Sequence, residues 1–455
     1  MQQDTGSAES DRWSLVAVAG ILSFVAMLDM SIVNVALADI GESFAVPAET
    51  AQWAVLGYQL PVVALLLPAG RWLDRVGMRP ALLTAVAGFA LSAAAAALAP
   101  AVGWLIGARL LQGAFGALLF VLMPVLATRA VRPEVRGRAM SVPATLGPLG
   151  AVSGPALGGL LLDHGGWRTV LLVKLPLCLV AWGVARAALP RGGRLAAPGR
   201  REAVDAALIA GAVAAALLAL TLAPGSPRWA WAALLVLPLV VAWARGPGGR
   251  PVLAVLREAR TYGTQGAVLA LGAAFAAVHY VTALHLQRDD GLSASVTGLT
   301  LLAFPLGMAL AGPVGGRLAD RWSPRPVAVA GGVLVAVGFV LLAAGDDWQP
   351  VRIAWQLGIA GVGMGLYGGP AQFLVMSAVP AAQLATAGST VQLARSLGFT
   401  LGPALATAVW GLSGPGAAGA RTALAAAAVA ACAAVPLLAL RPGPRRAGAA
   451  AVRQG

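Results

Sequence analysis

A rhythm limits how this chain can fold: apolar runs with few charges recur from residue 14 to residue 440, separated by short segments bearing arginine or aspartate. A helix crossing a bilayer needs about 20 consecutive apolar residues, within about 17–25, and in lipid a helix satisfies every backbone polar group internally. By that measure the runs fall at 14–38, 52–70, 80–99, 102–128, 139–162 and 167–189, then 203–223 and 227–244, then 263–286, 295–316, 326–344, 352–376, 385–411 and 419–440. Composition agrees, with 59% of residues hydrophobic and 11% charged. A soluble domain carries about 25% charged residues and could not cover its core with so few. The expected fold class is an all-α polytopic membrane protein with 14 transmembrane helices. ALA at 36–38 resembles a leader cleavage site. Asp4, Glu9 and Asp11 outnumber Arg12 ahead of it, and Asp29 interrupts the run, so an uncleaved first span is expected.

The net charge of +14 invites a nucleic-acid reading, but the basic residues sit in short clusters between apolar runs rather than on one helix or face. With an even number of spans they sort by side. One set of loops holds Arg71, Arg75 and Arg79, then Arg129, Arg132, Arg136 and Arg138, with similar clusters at 186–201, 245–260 and 317–325. The opposite set holds only Arg168, Arg228, Arg288, Arg352 and Arg421, beside Asp39, Glu42, Glu49, Asp163, Asp289, Asp290, Asp346 and Asp347. The positive-inside rule then puts both termini in the cytoplasm. Omitting 203–223 and 227–244 together leaves the sort intact, so a twelve-span arrangement satisfies it too. Cys178 and Cys432 lie in apolar runs and read as small packing residues, and no metal site is expected. Lys174 is the single lysine, and the preference for arginine points to a GC-rich, bacterial genome.

An internal repeat divides the chain. GRWLDRVGMRP at 70–80 and GRLADRWSPRP at 316–326 share six of eleven positions at an offset of 246, and GPAL recurs at 154–157 and 402–405 at an offset of 248. Two related six-helix bundles follow, 14–189 and 263–440. A segment at 190–262 joins them and carries the extra spans 203–223 and 227–244. Residues 1–13 and a basic tail at 441–455 complete the expected organisation.

Five segments resemble one family. The 70–80 loop is similar to the G-x-L-a-D-R-x-G-R loop of the major facilitator superfamily, and RLLQGAFG at 109–116 to its R-x-x-Q-G motif. GAVSGPALGG at 150–159 matches the antiporter motif G-x-x-x-G-P-x-x-G-G. LDMSIVNVAL at 28–37, and Gln52, Trp53 and Tyr58, resemble the first two helices of the fourteen-helix drug:proton antiporters. The resemblance implies a major facilitator fold in a bacterial plasma membrane. It also implies export of a drug, antibiotic or natural product in exchange for protons, by a monomer that is not an enzyme and uses no cofactor beyond the proton gradient. Uptake by symport or uniport on the same fold is the nearest rival. An enzyme would need a cluster at depth that His164, His279 and His285 do not form in sequence, and a channel would need a filter-like loop.

Asp29 is the one acid well inside a predicted span, where an ionised carboxylate costs roughly 2.5–3.5 kcal/mol. Such a residue is expected to face a cavity and to exchange a proton. The resemblance makes Arg109 its partner; a purely structural ion pair is the other reading. Asn34, Tyr58, Gln59, Gln112, Lys174, His279, Gln392 and Arg395 are the expected substrate-cavity residues. An interfacial Arg395 reaching back to the surface, and a packing role for His279, are their simpler alternatives. Gating is expected from Gly70, Asp74, Arg75, Gly77 and Arg79, from their repeat partners Asp320 and Arg321, and from Gly150, Gly154, Pro155, Gly158 and Gly159. The glycines of this last group allow close helix contact and the proline a bend. In the family, asparagine usually stands where this chain has Lys174, and no acid lies inside the last six runs. A dicationic substrate would therefore be repelled.

Overall fold

The computed structural model describes residues 11–197, 199–222, 231–259, 261–345, 348–413 and 416–440. The first half of the chain forms α1 (Trp13–Ile32), the short α2 (Leu37–Ser43) and α3 (Ala48–Ala51), α4 (Trp53–Leu73), α5 (Met78–Ala97), α6 (Val102–Arg129), α7 (Arg136–Leu172) and α8 (Leu175–Ala188). A connecting segment forms α9 (Arg200–Leu222), α10 (Ala233–Arg245) and α11 (Gly249–Ala259). The second half forms α12 (Tyr262–Arg288), α13 (Ala294–Arg321), α14 (Pro324–Ala344), α15 (Pro350–Ser377), α16 (Leu384–Ser413) and α17 (Ala417–Ala439). Among the described residues, ten helical stretches are long and apolar enough to span a bilayer, and Ala203–Ala216 and Ala233–Arg245 are shorter apolar helices.

Four predicted runs differ in detail. The first does not continue to residue 38: α1 stops at Ile32 and a turn leads into α2. The side chains of Ser31 and Asn34 bond back to the carbonyls of Leu28 and Met30, offering the backbone an alternative to the helix. The fifth and sixth runs are joined in α7 through a kink at Gly166, whose φ of 69° suits glycine. The sixth then breaks at Val173 and Lys174, because Pro176 lacks the N–H that would continue the helix. In the 227–244 run, α10 has 13 residues, and residues 227–230 lie outside the described part. The stretch read as loop after it holds α11, whose Val252 and Val255 are buried three positions apart.

Each half builds its own apolar core, one drawn chiefly from residues 15–189 and the other from 255–438. The same close approaches recur in both. A side chain at Gly113 would strike the carbonyl of Tyr58, and one at Gly361 the carbonyl of Phe304. One at Gly150 would strike the carbonyl of Phe24, and one at Gly398 that of Leu269. In both cases the second glycine lies 248 residues after the first. The two halves meet through α4 and α6 against α16 and through α7 against α13 and α15, while α9 packs on α4.

Candidate functional site

The halves are latched at the arginine-rich end by two reciprocal contacts. Asp74, directly after α4, accepts hydrogen bonds from the backbone N–H of Ala385 (2.9 Å) and Thr386 (3.0 Å) and from the Thr386 hydroxyl (2.6 Å). Asp320, at the end of α13, accepts from the N–H of Gly137 (2.6 Å) and Arg138 (3.1 Å) and pairs with the Arg138 guanidinium at 3.4 Å. Each acid thus occupies the first turn of a helix in the opposite half, where free N–H groups and the helix dipole favour an anion. Burial pushes the Asp74 carboxyl above the usual carboxylate range, and its bonds to Thr386 and Ala385 pull it back. Beside the latch, a methyl group on Gly70 would strike Ser389 and the Ala385 carbonyl, and one on Gly316 would strike Arg138 and Ser141.

Two arginines of the first loop bond to neighbouring helices. Arg71 pairs with Asp205 of α9 at 2.5 Å, and Arg79 donates to the Arg186 carbonyl at 3.0 Å. Gly77 lies against the backbone of Gly193, and Arg75 and Arg321 are exposed. The basic loop of the first half is therefore tied to α8 and to the inserted α9. Asp205 is 2% exposed, so Asp205→Asn leaves Arg71 without its counter-charge. A loss of about 3 kcal/mol is expected for breaking so buried a pair, read as a lower melting temperature in detergent. Gly150, Gly154 and Gly158 seat α7 on Phe24, Ser31 and Ile32 of α1, whereas Gly159 faces open space and Pro155 is exposed.

A second constellation is buried in the first half. The Asp29 carboxylate accepts from Arg109 Nη1 at 2.7 Å through one oxygen and from Lys174 Nζ through the other. Arg109 also donates to the Ala54 carbonyl (2.7 Å) and to Gln112 Oε1 (2.8 Å), and its guanidinium lies 4.7 Å from the centre of the Tyr58 ring. The three charged side chains are 0–1% exposed. Two cations thus share one anion in a site without water contact. The breaks in the sequence make this possible: the turn ahead of Pro176 carries Lys174, and Arg109 faces α4 on the stripe it shares with Gln112, Gly113 and Gly116.

A cavity lies between the halves, lined from α1, α6 and α7 on one side and α12, α13, α15 and α16 on the other. Of the residues expected there, Gln392 and Arg395 line it. Asp29 does not, contrary to expectation. Ser23 and Met27 are the cavity face of α1, and two residues further turns Asp29 by about 200° into the first-half core. Tyr58, Gln112 and Lys174 belong to the Asp29 cluster instead. Asn34 is exposed and bonded to its own helix end, and Gln59 is half-buried outside the cavity wall. His279 packs on Phe275 and Phe304, ring centres 4.2 and 4.9 Å away, behind the lining and accepts no role in it. Sequence reasoning missed Tyr367 and Gln372 on the cavity wall, Asp205, and the N–H groups that receive Asp74 and Asp320. The last were recoverable, because residues 137 and 138 shifted by 248 fall on 385 and 386.

Comparison with known proteins places this arrangement. The profile of the Major Facilitator Superfamily matches residues 19–195 and 266–454. The Multidrug resistance protein Stp of Mycobacterium tuberculosis is 31% identical over 404 residues, covering 84% of this chain and 73% of its own. The Drug efflux pump JefA of the same organism is 30% identical over 411 residues, covering 86% and 78%. Among solved structures, the proton:xylose symporter XylE superposes with a TM-score of 0.68 over 95% of both chains at 14% identity, a likeness of fold alone.

Proposed function

The chain belongs to the major facilitator superfamily, and on that premise we propose that it is an exporter of drugs, antibiotics or natural products that exchanges them for protons across the plasma membrane. In this reading residues 14–189 and 263–440 are the two bundles that rock about the central cavity, and 203–223 and 227–244 complete fourteen crossings. The arginine-rich end is cytoplasmic. The Asp74 and Asp320 latches close the cytoplasmic side while the cavity communicates outward. The relatives' names as efflux and resistance proteins support outward transport as the direction.

The observation that carries proton coupling is the Asp29 cluster: a carboxylate in the membrane interior held by Arg109 and Lys174, with no surface to serve. Its repeat equivalents are apolar. Leu357 stands where the first half has Arg109, and Ala274 stands where it has Asp29 when Phe24 is matched to Leu269. A group required by the scaffold would recur in both halves; this one does not. Proton exchange requires the cluster to open toward the cavity in the state with the latches released.

The test is a panel of antibiotics and dyes against a sensitised bacterium expressing the chain, followed by vesicles carrying a pH-sensitive dye. Resistance to at least one compound is expected, with that compound driving protons the opposite way to its own movement. Co-directional proton movement would establish symport instead, and resistance that survives a protonophore would remove proton coupling.

A further inference from the structure

Taking the central cavity as the place where cargo is carried, we propose that the cargo is an aromatic compound bearing an acidic group, with its anionic oxygen held by Arg395 and Tyr367. The apolar wall comes from both halves: Met27, Phe120 and Met123 from the first, Phe275, Phe304 and Met308 from the second. Thioethers and aromatic rings favour a flat π-system and adapt to its outline.

The polar part of the wall is one-sided in charge. Arg395 lines the cavity, and its bonded partner is Gln392, at a long 3.5 Å. Among the described residues no carboxylate pairs with Arg395, and none lines the cavity. Arg395 lies 11 residues into α16, about 16 Å along its axis, and lines the cavity between the halves. Tyr367 also lines the cavity, is 4% exposed, and its hydroxyl has no hydrogen-bond partner. A buried hydroxyl in that condition is unfavourable until an acceptor arrives.

Neither group recurs in the internal repeat. The positions 248 residues earlier hold Gly147 in place of Arg395 and Leu119 in place of Tyr367. A guanidinium and a phenol added to one half alone form a receptor for a carboxylate or an acidic phenol, through charge-assisted bonds that are short and directional. A cationic cargo would meet Arg395 with no acid to offset it, since Asp29 is already held by two cations.

The test uses the purified full chain in lipid nanodiscs with no gradient, and three probes on one ring system: anthracene-9-carboxylate, anthracene-9-carboxamide and (anthracen-9-ylmethyl)trimethylammonium. The carboxylate is expected to bind about tenfold tighter than the amide, as a charge-assisted bond in a dry site implies, and the cation to bind weakest. Arg395→Gln brings the carboxylate down to the level of the amide, Arg395→Lys keeps the order, and Tyr367→Phe weakens the carboxylate and leaves the cation unchanged. Equal binding of all three, preference for the cation, or no binding overturns the proposal, and the wild-type ranking decides it even if a variant fails to fold. Because the measurement is at equilibrium, loss of proton coupling in vesicles with the ranking intact sinks only the exchange reading. An absent ranking with coupling intact sinks only the cargo class.

Discussion

Replacing Asp29 by asparagine is expected to abolish proton-driven transport and to lower the melting temperature of the purified protein markedly. Adding Lys174→Met to that variant should recover much of the stability and none of the transport. The reason is charge balance in a site that water does not reach. Arg109 keeps its charge at any accessible pH, and the Asp29 carboxylate is shared between it and Lys174. Removing one partner of a buried pair costs about 3–5 kcal/mol because the other charge is left uncompensated. Here the substitution strands two cations. The second change removes one of them, and Gln112 and the Ala54 carbonyl still hold Arg109. Lys174→Met alone removes the surplus cation and leaves a matched Asp29–Arg109 pair, so that variant is expected to melt no lower than wild type. Thermal unfolding followed by intrinsic fluorescence in one detergent, beside uptake in vesicles, reads both effects. An Asp29→Asn protein that melts and transports like wild type would remove this cluster from the mechanism.

Gly70→Ala and Gly316→Ala are expected to hold the protein open at the arginine-rich end, to similar extents. Both substitutions would be mildly favourable in an isolated helix, by about 1 kcal/mol. Each added methyl instead meets the opposite half: Ser389 and the Ala385 carbonyl in one case, Arg138 and the Gly137 carbonyl in the other. Overpacking of this kind costs about 1–3 kcal/mol, and it acts on the latched state alone. A shift of roughly tenfold to a hundredfold toward the unlatched state follows, at about 1.4 kcal/mol per decade. Spin labels at Glu134→Cys and Ala382→Cys, exposed on the two halves at that end, should move apart in a Cys432→Ser background. Unchanged distances in both variants would mean that the glycines serve folding and not closure. A change in only one would break the equivalence of the two latches.

Much of the site was legible before any coordinates. Asp29, Arg109 and Lys174 could be singled out because a charge in an apolar run is conspicuous, Gln112 because a recognisable motif carries it, and the loop acids because their motif repeats. The direction in which each side chain points could not. Ser23, Met27 and Asp29 lie within seven positions of one helix, yet the first two line the cavity and the third is sealed in the core. Tyr58 read as a cavity residue, and the structure uses it as a wall for Arg109, with Gly113 and Gly116 making room.

What the sequence determined alone is everything that rests on local chemistry. The apolar runs specify helices, the arginines sort the loops, and the repeated motifs divide the chain in two. These follow from the expense of exposing a backbone or a charge to hydrocarbon, which acts residue by residue. Tertiary structure decided which charges meet. The pairing of Asp29 with Lys174 spans 145 residues, Asp74 reaches Thr386 across 312, and Arg71 finds Asp205 in an inserted helix. Such contacts depend on how helices rotate and dock, which small residues such as Gly113 and Gly150 set by their close approaches. No periodicity within one helix encodes the rotation of its neighbour.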